Sequence, residues 1–153
     1  MMDNRMFRTA MGKFATGVTV IVSEVEGQVH GMTANAFMSV SLDPKLVLIS
    51  IDKKAKMNEV IEKSNQFTVN ILSGDQKEMS MIFAGQIKED KQVKFETVEG
   101  LPVIEDALVS LVCNVYQSHE AGDHTLYVGE VINLNLQDGE PLAFYEGKYM
   151  QMT

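Results

Sequence analysis

A chain of 153 residues, 45% of them hydrophobic and 22% charged, has the length and composition of one soluble globular domain with its own core. A net charge of -8 argues against nucleic acid or an anionic membrane as partner, because both need a cationic face. No apolar run approaches the ~20 residues of a membrane span, no leading segment has a signal peptide's apolar region, and the single cysteine, Cys113, excludes an internal disulfide, which together point to the cytoplasm.

Met6, Phe7, Ala10, Met11 and Phe14 recur at helical spacing and predict an amphipathic helix over 4–15, capped by Asp3 or Asn4 and finished before Gly17. Residues 18–23 read as a strand, Glu26-Gly27-Gln28 as a turn, and 29–32 as the second arm of a hairpin. A further strand over 35–41 is stopped by Asp43-Pro44. Residues 46–51 form a continuous apolar run, as expected of a fully buried strand. A helix with Met57, Val60 and Ile61 on one face follows, then an alternating strand over 67–72 and a short helix carrying Met79, Ile82 and Phe83, with Asp75 as its cap.

Residues 85–100 are polar and weakly patterned and read as a long mobile connection, ended by a turn at Gly100-Leu101-Pro102. Long strands are expected over 107–118 and 125–136, separated by residues 120–124. In the second, Ile132, Leu134 and Leu136 alternate with Asn133 and Asn135, which predicts one buried face. Asp138-Gly139 signals a tight turn before a last strand over 141–145. Seven or so strands with a few short helices, not regularly alternating, predict a single, mainly β domain. A closed or partly closed antiparallel barrel fits better than a doubly wound parallel sheet.

The least ordinary stretch is 31–44, where small and hydroxyl residues lie between apolar segments. Small residues let backbone approach a flat ligand, and hydroxyls and amides offer it hydrogen bonds. The same composition also suits a solvent-facing edge strand. No Gly-x-Gly-x-x-Gly follows a strand. Gly12 to Gly17 has Walker-like glycine spacing, but Val18 stands where lysine is required. His30, His119 and His124 lack metal-ligand spacing, so no metal is expected. No Gly-x-Ser-x-Gly element is present. Cys113, within a strand-like run, reads as a small buried hydrophobe. Two features remain: residues 33–41, and Gly122-Asp123-His124, which taken alone also reads as a plain hairpin turn.

In order along the chain stand Phe14-Ala-Thr-Gly-Val-Thr-Val, Gly31-Met-Thr-Ala-Asn-Ala-Phe, Ser39-Val-Ser-Leu-Asp-Pro, Phe67-Thr-Val-Asn-Ile-Leu, Phe83-Ala, Gly100-Leu-Pro, Gly122-Asp-His and Gly147-Lys-Tyr. This ordered set, covering residues 7–150, resembles the flavin reductase-like family with the FMN-binding split barrel. The resemblance implies a split antiparallel β-barrel that reduces flavin, FMN or FAD, with NADH or NADPH as hydride donor. It also implies a homodimer with flavin near the subunit interface, often serving a separate oxygenase component. A non-catalytic flavin carrier or electron-transfer protein on the same fold is the alternative.

Under that resemblance, backbone amides around Thr33, Ala34 and Asn35 are expected at the pyrimidine edge of the flavin, with Ala34 and Ala36 leaving room for the ring. Ser39 and Ser41, two apart, are expected on one side of a strand, facing ribityl or phosphate oxygens. Lys53, Lys54 and Lys56 precede a helix and suit a phosphate. Many family members carry a hydroxyl where Met57 stands, so Asn58 or a lysine is expected to substitute. His124 is expected over the flavin face, positioning nicotinamide, with Asp123 holding its tautomer. Phe83 is expected to shape the site. Nothing in the chain marks a contact for the 2′-phosphate that separates NADPH from NADH.

Overall fold

The structure is a computed structural model and describes residues 1–87 and 93–152. In chain order its elements begin with α1 (Asn4–Met11), β1 (Thr16–Gly17), β2 (Thr19–Val25), β3 (Gln28–Ala34), β4 (Phe37–Leu42), β5 (Lys45–Asp52), α2 (Met57–Ser64) and β6 (Gln66–Ile71). A 3-10 turn at Gly74–Gln76 leads into α3 (Lys77–Phe83). Then come β7 (Phe95–Val98), β8 (Leu101–Ile104), β9 (Val109–Ala121), β10 (His124–Leu136), β11 (Leu142–Tyr145) and β12 (Lys148–Gln151). No helix among the described residues is long and apolar enough to cross a membrane.

Seven strands pair antiparallel in the order β3-β2-β6-β9-β10-β5-β4. The two outermost strands, β3 and β4, are consecutive in the chain and joined only by Asn35 and Ala36. Two residues span roughly 10 Å at most between their neighbours, so the sheet must curl until its edges nearly meet. Its ladder nevertheless stays open between β3 and β4, and the result is a split barrel with a seam at Asn35-Ala36.

One core fills the concave side: Ile21, Ile49, Phe67 and Val69 from the strands meet Met57, Val60 and Ile61 from α2. The other side of β2 is buried as well, because Val18, Val20 and Val22 pack with Leu72, Ile104 and Leu142. A third cluster sets Leu101 and Val103 of β8 on Val112 of β9. Four elements are tied by buried Asn70. Its Nδ2 donates to the Val20 carbonyl (3.0 Å) and Thr68 Oγ1 (3.2 Å), while its Oδ1 accepts from Ile104 N (2.9 Å) and Ser110 Oγ (2.8 Å).

Gly129 of β10 is glycine for want of space: a Cβ there would lie 2.6 Å from Phe67 Cζ and 2.9 Å from Cys113 Cβ. Gly129→Ala is therefore expected to destabilise the protein by about 2–3 kcal/mol through overpacking, read as a lower urea midpoint at unchanged slope. An unchanged midpoint would show that Phe67 can move aside.

The structure departs from several expectations. α1 is capped by Asp3, whose Oδ1 accepts from Met6 N at 2.8 Å, but it stops at Met11, with Gly12 as C-cap. None of its residues is buried, so the apolar stripe of Met6, Phe7 and Met11 has no cover among the described residues. Asp75 does not cap α3, whose N-cap position is Gln76 without a side-chain cap bond; Ser73, with Gln76 completing a capping box, caps the 3-10 turn before it. Within the expected connection 85–100, residues 95–98 form β7 and pair with β8, while residues 88–92 lie outside the described residues. The run 46–51 is not fully buried: Val47, Ile49 and Ile51 face the core, while Leu46, Leu48 and Ser50 are only half-buried. Ile132, Leu134 and Leu136 are not buried either, at 44%, 45% and 76% exposure. A side chain's apolar character fixes its preference for burial; no element among the described residues is placed to satisfy it there.

Candidate functional site

The seam opens into a groove of about 1160 Å³, larger than the roughly 300–1000 Å³ of most small-molecule sites. Asn35 and Ala36 form one lip, and Gly12 and residues 14–19, with Phe7, Arg8 and Met11 of α1, the other; Leu48, Ser50 and Ile71 also line it. Small residues shape the walls. Gly17 lines the groove, and a Cβ added there would meet nothing within 4 Å. The near lip is latched from outside, since Lys13 Nζ meets Glu146 Oε1 at 2.7 Å and Glu146 N donates to the Gly12 carbonyl at 3.0 Å. That pairing lowers the Glu146 carboxyl below its ordinary range and raises Lys13.

The donor set fits a flat ring with a polar edge. Among the described residues no hydrogen bond engages the backbone N–H of Asn35 or Ala36, where the β3 ladder has ended and β4 has not begun. Thr16 Oγ1, also in the groove wall, is buried without a partner, an exception in a folded protein. Free amides and an apolar floor match an isoalloxazine, which is apolar across its face and hydrogen-bonding at its rim.

A second locus lies further along the same sheet. Gly122, with φ +61, and Asp123 make the two-residue turn of the β9–β10 hairpin. The strands run up to this turn, which is shorter than the separation expected over 120–124. His124 opens β10 opposite Asp52, and Leu126 stands opposite Ser50. Directly opposed residues share a face, so His124 lies one step beyond the groove residue Ser50 on the same face. His124 Nδ1–H donates to Asp123 Oδ1 at 2.8 Å, leaving Nε2 available. That hydrogen bond, and then the ring's charge, lower the Asp123 carboxyl below its ordinary range. The Lys53 amide donates to the Asp123 carbonyl at 2.9 Å, Lys53 Nζ lies 3.7 Å from Glu120, and Lys54 also acts on the Asp123 carboxyl.

The residues singled out from sequence thus separate into groups. Asn35 lines the groove, and Asp123, His124, Lys53 and Lys54 gather at the hairpin turn. Lys56 is exposed beside α2, whose first turn closes on itself through Asn58 N to Ala55 O and Glu59 N to Lys56 O. Those amides are not open to an anion. Thr33 Oγ1 is engaged with the Ser80 carbonyl (2.6 Å), and the Ala34 carbonyl accepts from Thr19 Oγ1 (2.7 Å). These two residues brace the seam.

Three expectations are corrected. Ser39 pairs with Val47 and Ser41 with Leu46, so a β-bulge leaves Val40 over. Val47 and Leu46 are neighbours facing opposite ways, which puts the two serines on opposite faces. Asn58 is buried; its Nδ2 donates to Asp52 O (2.6 Å), and its Oδ1 accepts from Tyr127 OH (2.9 Å), so its amide holds the turn to α2 rather than facing a phosphate. Phe83 does not line the groove; its ring occupies the space over Gly31, whose Cβ would fall 2.5 Å from Phe83 Cε1. Cys113 is buried, and burial pushes its thiol up to about 12, so it is inert. The groove residues Arg8, Thr16, Gly17 and Ser50 were not anticipated. Ser50 had a signal: it is the one hydroxyl in the apolar run 46–51.

The model of the flavin reductase like domain matches residues 11–153. This chain belongs to that family. A NADH-dependent flavin reductase of Rhodococcus is 50% identical over 148 residues, covering 95% of this chain and 84% of the relative. The reductase component of a 4-hydroxyphenylacetate 3-monooxygenase of Thermus thermophilus is 36% identical, covering 96% of this chain and 95% of that one. Among solved structures, the flavin reductase PheA2 in its native state superposes with a TM-score of 0.98 at 59% identity, covering 99% of both chains. The split barrel is accordingly the fold of a flavin reductase family member.

Proposed function

We propose that this chain is an NADH-dependent flavin reductase that delivers reduced flavin to a separate oxygenase. The observation that carries the reading is the placement of His124 on the same sheet face as Ser50, one step beyond a groove whose free amides suit an isoalloxazine. Relatives named as NADH-dependent flavin reductase and monooxygenase reductase component support the activity and its use.

In this reading Asn35 and Ala36 hold the polar edge of the ring, and Gly17 gives its face room. His124 orients the nicotinamide through Nε2, with Asp123 keeping the proton on Nδ1. Lys53 and Lys54 neutralise a nucleotide phosphate beside it, and Lys56 adds positive potential. The flavin, FMN or FAD, supplies the hydride-accepting chemistry when bound. The protein's part is to hold the two rings in reach and keep water out. NADH is the donor we infer from the relatives. The uncovered Ile132, Leu134 and Leu136 fit a second copy of the chain, as a homodimer in the cytoplasm requires.

Purified protein is expected to oxidise NADH only when FMN, FAD or riboflavin is added, followed by loss of NADH absorbance. Absence of oxidation with all three flavins overturns the reading.

A further inference from the structure

Two buried polar side chains adjoin the His124 hairpin. Tyr127, further along β10 from His124, is 2% exposed, and Asn58, in the first turn of α2, is 8% exposed. Asn58 Nδ2 donates to two carbonyls, Asp52 at 2.6 Å and Ala55 at 3.3 Å. Only the amide nitrogen can donate, which fixes the orientation of the side chain and leaves Oδ1 to accept from the Tyr127 hydroxyl at 2.9 Å. Apolar side chains of similar shape would fill the same space without needing partners, so the pairing calls for a role beyond filling it. What it secures is a turn. Asp52 ends β5 and stands opposite His124 in the β5–β10 ladder. The chain then bends back, with Ala55 N donating to the Asp52 carbonyl at 2.9 Å and Lys54 N to Asp52 Oδ1 at 2.9 Å. From this turn the Lys53 amide donates to the Asp123 carbonyl at 2.9 Å, one step beyond the last pair of the ladder.

We propose that Tyr127 and Asn58 are positioning residues for His124: their hydrogen bond fixes the 52–56 turn, the turn fixes the Lys53 amide, and that amide holds the Asp123–His124 turn in register for the nicotinamide. This rests on the flavin reductase reading and deepens it. The tip needs such a hold, because Asp123 is 91% exposed and exposed hairpin tips open locally at low cost. The hold matters to rate because hydride transfer depends steeply on how two rings lie, and a misplacement of about 1 Å can cost on the order of a hundredfold. Neither side chain touches the reacting rings in this scheme; both act through the backbone of the turn. A pair that only stabilised the fold would act without regard to whether His124 is present.

The test is a double-mutant cycle with His124, joined to amide hydrogen exchange. Tyr127→Phe removes one oxygen and keeps the ring in the core, so it is expected to fold, checked by a cooperative thermal transition above the assay temperature. It is expected to lower kcat/KM for NADH about fivefold in the parent protein and by less than about twofold in His124→Ala, where no imidazole is left to position. Asn58→Ala is expected to act the same way, and adding Tyr127→Phe to it should cost nothing further, because the two side chains work as one unit. In protein without flavin or NADH, Tyr127→Phe is expected to speed exchange of the Lys53 amide about tenfold while the amides of β6 stay protected. Equal losses of kcat/KM in the parent and His124→Ala backgrounds overturn the proposal, as does no loss in the parent or an unchanged Lys53 amide. The exchange is read without turnover, so failure of this network is distinct from failure of NADH oxidation in the parent protein.

Discussion

His124→Ala is expected to lower kcat/KM for NADH by about 10–100-fold while the flavin Kd changes by less than about twofold. His124 and the groove share a sheet face, but His124 itself does not line the groove, so removing its ring leaves the flavin contacts in place. Its Nδ1 proton is held on Asp123 at 2.8 Å, which directs Nε2 outward as a fixed polar group for the second ring. Loss of that group lets the nicotinamide sample poses in which hydride transfer cannot occur. Asp123→Asn should be milder: Asp123 is 91% exposed, so water can replace much of what it provides. Steady-state kinetics with NADH, paired with fluorescence titration of the flavin, separates these effects. Parent-like turnover in His124→Ala would remove the hairpin turn from the mechanism. A parallel loss of flavin affinity would move His124 into the flavin site.

Asn70→Ala is expected to cost about 3–4 kcal/mol of unfolding free energy, a large part of the roughly 5–15 kcal/mol that holds a domain together. The side chain has four partners on β2, β6, β8 and β9, and it is fully buried. Truncation leaves the Ile104 N–H and Val20 carbonyl without their side-chain partner in the interior, and it leaves a cavity. Asn70→Asp separates the two causes: it keeps the volume and the acceptor but loses the donors to Val20 and Thr68, and it should be nearly as damaging. Urea unfolding with an unchanged slope measures both variants. A loss under about 1 kcal/mol in Asn70→Ala would mean that water or a rearranged Ser110 satisfies the network.

The strands were largely legible from local pattern, because the runs at 18–23, 67–72 and 107–118 have the β-branched content that a pleated, buried surface selects. Where pattern failed, it failed for nameable reasons. Leu46 to Ile51 looked buried on both sides because its outer face is apolar too, and composition does not say whether a second layer covers that face. The bulge at Val40 has no compositional mark, yet one extra residue turns Ser41 to the other side of the sheet from Ser39. Asn58 looked like a phosphate ligand because its partner, Tyr127, is 69 residues away and only the fold brings them together. His124 with Asp123 was recognisable from a short motif, since adjacent residues must stay adjacent. Arg8 and Thr16 were not, because a groove assembled from α1, β1 and the seam exists only after folding.

The seam at Asn35-Ala36 bears on how this protein stays a defined species at high concentration. An unclosed barrel has two strand edges, and a bare edge is a template on which another chain can add a strand and begin to aggregate. Each edge here is defended differently. β3 carries α3 on one face, with Thr33 Oγ1 on the Ser80 carbonyl and Phe83 over Gly31, so a strand added beside it would run against a helix that crowds one of its faces. β4 is short and kinked by the bulge at Val40, which breaks the even spacing an added strand would need. The opening that admits a ligand therefore does not double as a site for uncontrolled polymerisation.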